Sequence, residues 1–245
     1  MISGFYTAAS GILVQQRVIN VIGNNITNSQ TNGYRAQRVV TSTFEQNYLT
    51  RLEQGNTERI GEGDPAVLVD TVETRFDESS LEDTGSPFDM SIVGDGYFTI
   101  AGNANTFLTR NGNFNIDEDG YLILPDVGRV QGQNGEIYVG GSDFTVAQDG
   151  TVYGADGMAV DQLLISMPAE GAELFKFNNG MFTCDTVDTM QAPTVYQKML
   201  ERSNVDMNDE YTRMIESQRA LQACATALKT VDEMNGRAAT LASIS

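Results

Sequence analysis

The sequence predicts an α+β chain in which long N- and C-terminal helices pair as a coiled coil and an all-β central domain is inserted between them. Three observations predict it. Both ends carry small and apolar residues at alternating spacings of three and four, the period that keeps one seam facing a partner helix. Between them, short runs rich in Val, Ile, Phe, Tyr and Thr alternate with turn dipeptides, the punctuation of hairpins. The charge is segregated: of a net −18, residues 1–75 carry six basic and seven acidic groups, residues 76–195 three and nineteen, and residues 196–245 six and seven. The acidic centre therefore expects solvent, while the near-neutral ends can crowd together at little Coulomb cost.

The first helix is expected from about Ile2 to Asn25, with Ile2, Phe5, Ala9, Ile12, Gln16, Ile19, Gly23 and Ile26 on its seam and Tyr6 and Leu13 on an adjoining stripe. Gly4, Ala8, Ala9 and Gly11 permit close approach of another helix, although each glycine lowers helix propensity by about 1 kcal/mol relative to alanine. Asparagines crowd the segment that follows, Gly23-Asn24-Asn25-Ile26-Thr27-Asn28-Ser29-Gln30-Thr31-Asn32-Gly33-Tyr34-Arg35, which suits a helix end and a left-handed turn. Residues 36–65 read as an extended connector or a long hairpin.

The β-rich domain is placed at 66–203, with strands expected at Tyr97–Ile100, Thr106–Thr109, Tyr121–Leu124, Glu136–Val139, Thr145–Ala147, Thr151–Tyr153, Gln162–Met167 and Met181–Thr183. The helical domain comprises 1–35 and 204–245. Its second helix contains no proline and one glycine, Gly236. Ser217, Ala220, Cys224, Ala227, Val231, Met234, Ala238 and Leu241 form the seam, and Tyr211, Met214, Leu221, Ala225 and Leu228 a second stripe. Asp206 or Asn208 can cap its start, and Asp209 and Glu210 complement the positive end of its dipole.

Composition narrows the function. Without histidine there is no His-based metal site or catalytic triad, and a surface this acidic does not neutralise the phosphates of nucleic acid. The two cysteines allow one disulfide, but Cys224 in a seam of small residues reads as a buried free thiol. The N-terminus lacks a basic n-region ahead of Arg17 and is interrupted by Thr7, Ser10 and Gln15, so neither a cleaved signal peptide nor a membrane span is expected. Asn115, Asp117, Asp119, Gly120 and Asp126 fall on calcium-loop positions, but Asn stands first, Asp stands last and both flanks read as strand, so the expectation is a hairpin turn. Nineteen central acids make any carboxylate pair unspecific, and a solvated acidic face is preferred over a glycosidase-like pair. No catalytic residue, cofactor, metal or small-molecule substrate is expected.

Four motifs resemble those of flagellar basal-body rod and hook proteins. The run from Asn24, Asn25 and Asn28 to Gly33 and Tyr34 is similar to the family's N-terminal signature. Leu81 to Phe98 resembles the segment leading into the first strands, and Thr109-Arg-Asn-Gly to Leu122 the following hairpin. Glu201-Arg-Ser-Asn-Val-Asp206, which includes Asn204 and Val205, resembles the C-terminal motif, with Met214 to Ala220 and Thr230 to Met234. The ending Asn235-Gly-Arg-Ala238 and the short centre lean toward the proximal-rod member. The resemblance implies a torque-bearing structural subunit of the basal-body rod. Such a subunit is exported by the flagellar type III apparatus without a cleaved signal, lies across the cell envelope, and assembles with itself and with other rod and hook subunits. The expected packing positions are Ile2, Phe5, Ala9, Ile12, Ile19, Ile26, Ala220, Cys224, Ala227, Val231, Met234 and Leu241. The alternative is a secreted β-rich adhesin with helical oligomerisation ends.

Overall fold

The computed structural model describes residues 2–43, 48–53, 56–62, 67–77, 79–102, 105–169, 171–172, 174–178, 180–190 and 193–242. The chain forms two compact units, one made of residues 1–27, 37–75 and 206–245 and the other of residues 28–36 and 76–205.

In the first unit, helix α1 (Ile2–Thr27) packs with helix α2 (Met207–Ala242) and with an antiparallel ribbon of β1 (Gln37–Thr43) and β4 (Val67–Thr74). β2 (Tyr48–Glu53) and β3 (Asn56–Glu62) pair as an antiparallel hairpin inside the stretch expected to be connector or hairpin. Asp206 caps α2: its Oδ1 accepts the Asn208 amide at 2.9 Å, satisfying a donor that the helix cannot use internally. Close approach of the helices is visible at Gly11, where an added Cβ would lie 3.1 Å from the Cys224 sulfur. Cys224 itself is a half-buried free thiol rather than a fully buried one.

The expected coiled coil is not what the structure holds. A coiled coil buries successive seam positions along both partners. Among the described side chains of α1 the buried ones are Val14, Val21, Ile22 and Asn25, off the expected seam, while Phe5 and Gln16 on that seam are exposed. Among the described seam residues of α2 only Ser217 is buried, and Ala227 and Met234 are exposed. The physical reason is that α1 divides its apolar surface between α2 and the β1–β4 ribbon. No continuous interlocking seam is left for one helix alone.

In the second unit, a nine-stranded sheet runs in the order Phe175–Asn178, Met181–Thr183, Thr106–Thr109, Tyr97–Ala101, Gly128–Val130, Leu122–Leu124 and Asn115–Ile116. Ile165–Pro168 joins it by pairing with Tyr97–Ala101 and with Val187–Thr189. Thr145–Val146, Thr151–Tyr153 and Ala159–Gln162 make a three-stranded sheet. Two further pairs tie distant parts of the chain: Met90–Val93 with Thr194–Gln197, and Leu81–Asp83 with Met199–Glu201. All these ladders are antiparallel, as a chain punctuated by Asp-Gly and Asn-Gly turns requires. The core gathers Met90, Phe98, Ile100, Leu122, Ile137, Val152, Leu163 and Ile165, each worth roughly 1.5–3 kcal/mol of burial. Glu136–Val139, expected as a strand, contributes isolated bridges from Glu136 and Tyr138 instead.

Candidate assembly surface and signature loop

The asparagine-rich signature becomes a set of backbone clamps. In the first unit, the Asn25 carboxamide grips Gln37 from both sides: its Nδ2 donates to the Gln37 carbonyl at 2.8 Å and its Oδ1 accepts the Gln37 amide at 3.0 Å. A helix residue thereby pairs with the first residue of β1 as a neighbouring strand would. Residues 28–36 leave this unit and fold into the other. There Asn28 accepts the Thr31 hydroxyl at 3.2 Å, closing the turn, and the Gly33 amide donates to the Glu201 carbonyl at 2.8 Å. Gly33 has φ +67°, and a Cβ would come within 2.3 Å of the Arg110 backbone. Only glycine suits both the angle and the approach.

Asn204 does for the C-terminal motif what Asn25 does for the N-terminal one. Its Oδ1 accepts the Ala36 amide at 2.7 Å, and its Nδ2 donates to the Asp77 carbonyl at 3.3 Å. Val205 is half-buried, its amide 3.3 Å from the Ser203 hydroxyl. Asn24 is exposed. The signature residues Asn28 and Gly33 and the motif residue Asn204 thus meet in one unit, although well over 150 residues separate them in sequence.

Beneath this loop lies a buried ionic cluster that the sequence reading did not single out. Glu201 pairs with Arg35 at 2.5 Å and Arg110 at 3.4 Å, and the three side chains are only 3–6% exposed. Arg35 also donates to the Asp77 carbonyl, and Arg110 to the carbonyls of Ile92 (3.1 Å) and Gly94 (2.5 Å). Burial lowers the Arg110 pKa, and the Glu201 carboxylate offsets only part of that, as expected where desolvation outweighs the pairing. Arg35, Arg110 and Glu201 each lie within one of the motifs that resemble the family, and that was the available signal for them. Nearby, Lys176 lies 4.2 Å from the Tyr34 ring centre and donates to its hydroxyl at 3.1 Å. Burial lowers this ammonium from 10.5 to about 8.

The expected packing positions are scattered in their exposure. Ala9, Ile12, Ile19, Ile26, Ala220, Cys224 and Val231 are half-buried, Phe5, Ala227 and Met234 are exposed, and the side chains of Ile2 and Leu241 lie outside the described residues. On the adjoining stripes Tyr6, Leu13, Tyr211 and Ala225 are exposed, Leu13 by 67% and Tyr6 by 64%, whereas Met214, Leu221 and Leu228 are half-buried; Ile215, outside both stripes, is exposed as well. At the start of α2, Glu210 is buried against the first helix and ribbon, and burial raises its carboxyl pKa against the opposing hydrogen bond from Asn25.

The calcium-like residues have a different job. Asp117 Oδ1 accepts the amides of Asp119 and Tyr121 in a tight turn, and Arg129 places one guanidinium between Asp117 (2.8 Å), Asp119 (2.9 Å) and Glu136 (2.8 Å). A cation is already supplied by the chain. Among the described residues no cluster of three or more metal-ligating side chains occurs, and no described helix is long and apolar enough to cross a membrane.

Comparison with known proteins matches two families. Residues 196–241 match the C-terminal family described as "Flagellar basal body rod FlgEFG protein C-terminal", and residues 91–154 the "Flagellar hook protein FlgE/F/G D1 domain". The flagellar basal-body rod protein FlgG of Bacillus subtilis is 31% identical over 96% of this chain and 97% of its own length. FlgG of Agrobacterium fabrum is 32% identical over 93% and 94%. The rod protein FlgF of Caulobacter vibrioides is 26% identical over 96% of both.

Proposed function

The chain belongs to the flagellar basal-body rod and hook protein family, and from that premise we propose that it builds the rod by self-assembly through its terminal helices, carrying torque from motor to hook. Its place is the flagellar basal body, as a structural subunit assembling with other rod and hook subunits; the family is structural rather than enzymatic.

One observation carries the proposal: the paired helices leave apolar side chains in water. Phe5, Tyr6 and Leu13 on α1 and Tyr211, Ile215 and Met234 on α2 are all exposed. Single exposed apolar residues are ordinary, but several on each of two packed helices represent burial not yet realised in one subunit. Covering each is worth roughly 1.5–3 kcal/mol, enough over several neighbours to offset the entropy of ordering helix ends. The expected packing positions Ala9, Ile12, Ile19, Ile26, Ala220, Cys224, Ala227 and Val231, together with Ile2 and Leu241, are assigned to this assembly surface on their spacing in the sequence. Export through the flagellar apparatus and passage across the envelope belong to the same reading.

Epitope-tagged Leu13→Glu and Met234→Glu variants test it. Each should melt like the wild type, because neither residue is buried within the subunit, yet be absent from purified basal bodies and leave cells non-motile. Normal incorporation of both variants would refute assembly through these faces.

A further inference from the structure

The N-terminal half of α1 offers large apolar side chains to water, and one face of α2 offers only small ones. On α1, Tyr6 and Leu13 stand a heptad apart, so they lie on one line along the helix, and both are strongly exposed. On α2, Ala223, Thr226, Ala227 and Thr230 follow the spacing that puts residues three and four apart on one face, and all four are exposed. The Thr226 hydroxyl donates to the Gln222 carbonyl and the Thr230 hydroxyl to the Thr226 carbonyl, both at 2.9 Å, so neither needs water. Residues 2–16 and 220–228 carry no charge, so covering either face strips no ion of its hydration. The two faces also lie at one height. The helices run antiparallel, with Gly11 beside Cys224 and Asn25 donating to the Glu210 carboxylate. Residues 6–13 of α1 are therefore level with about residues 222–229 of α2.

Resting on the reading that the terminal helices build the rod, we propose that the ridge of Tyr6 and Leu13 on one subunit seats on the 223–230 face of the subunit beside it. The small residues alone signify nothing; the exposed ridge is what lacks a cover, and a second copy supplies one of fitting shape. Large side chains enter a surface of small ones as knobs enter holes, and close packing there recovers the contacts that water leaves unmade. Equal height sets the neighbour alongside the subunit instead of above it. Ridge and face are different surfaces, so the contact is heterologous: each subunit offers one of each, and the contact repeats from neighbour to neighbour instead of closing a two-fold dimer.

The test co-expresses two differently tagged chains, one carrying Leu13→Cys and the other Ala227→Cys, both with Cys184→Ser and Cys224→Ser, and treats purified basal bodies with a short bismaleimide. Covalent dimers bearing both tags are expected, several-fold more abundant than dimers bearing one tag twice. Two-tag dimers that are absent, or no more abundant than same-tag dimers, would overturn the pairing. A second measurement needs no cross-link. Ala227→Lys alone should reduce swarming, and Leu13→Glu with Ala227→Lys in one chain should swarm better than Leu13→Glu alone, because every contact then joins a carboxylate to an ammonium. A double variant no better than Leu13→Glu alone would also overturn it. Rods that assemble without two-tag dimers refute this pairing and leave assembly through the helices standing, whereas normal incorporation of Leu13→Glu and Met234→Glu refutes that assembly itself.

Discussion

Gly33 and Glu201 each hold a position that no substitute fills. At Gly33 an alanine would combine a left-handed backbone angle with a Cβ 2.3 Å from the Arg110 backbone, so Gly33→Ala should lower stability by about 2 kcal/mol or more. Glu201→Gln would leave two buried guanidiniums facing a neutral group and should cost about 3–5 kcal/mol. Denaturant titration of both variants checks these values. Lys176 gives a pH dependence of definite sign. Folding lowers its pKa from 10.5 to about 8, so the unfolded chain binds more protons between those values and stability rises with pH there. Below about 8 both states carry the proton and the cost of burying the ammonium is present in full. The stability difference between wild type and Lys176→Met should therefore change across pH 8 to 10.5; a difference that stays flat would contradict the burial. At this scale the sequence was half legible. Asn25, Asn28, Gly33 and Asn204 stood out by motif, and the Asn28 turn is local, but the hold of Asn25 on Gln37 twelve residues on, and of Asn204 on Ala36 across 168 residues, follows from tertiary geometry that spacing alone does not encode.

Both helices and most strands were legible as elements because periodicity and turn chemistry are local. Tyr97–Ala101, Thr106–Thr109, Thr151–Tyr153 and Met181–Thr183 lie where the patterns put them. Helix pairing was misread for a non-local reason: a three-four spacing says that a face is apolar, not which neighbour covers it. The ribbon of β1 and β4 takes part of α1, and its own pairing partner lies some thirty residues further along the chain. Gly11 is where the helices themselves meet most closely. Gly11→Val should push against the Cys224 sulfur and lower the melting temperature, and Cys224→Ala should relieve much of the loss. Equal losses with and without Cys224→Ala would show that the contact does not limit helix approach.

For the whole molecule, the division of labour follows the charge: residues 28–36 and 76–205 carry six basic and twenty acidic groups, the rest nine and thirteen. Since residues 28–36 fold with the β-rich unit, a chain lacking residues 1–27 and 206–245 should retain the antiparallel sheet and melt cooperatively, yet fail to enter the rod. The central claim is that the exposed apolar faces of the two helices become buried when subunits assemble. Maleimide labelling of Leu13→Cys and Met234→Cys, in a chain carrying Cys184→Ser and Cys224→Ser, measures this most directly. Rapid labelling in the free subunit and strong protection in purified basal bodies is the predicted result, and equal labelling in both states would contradict it.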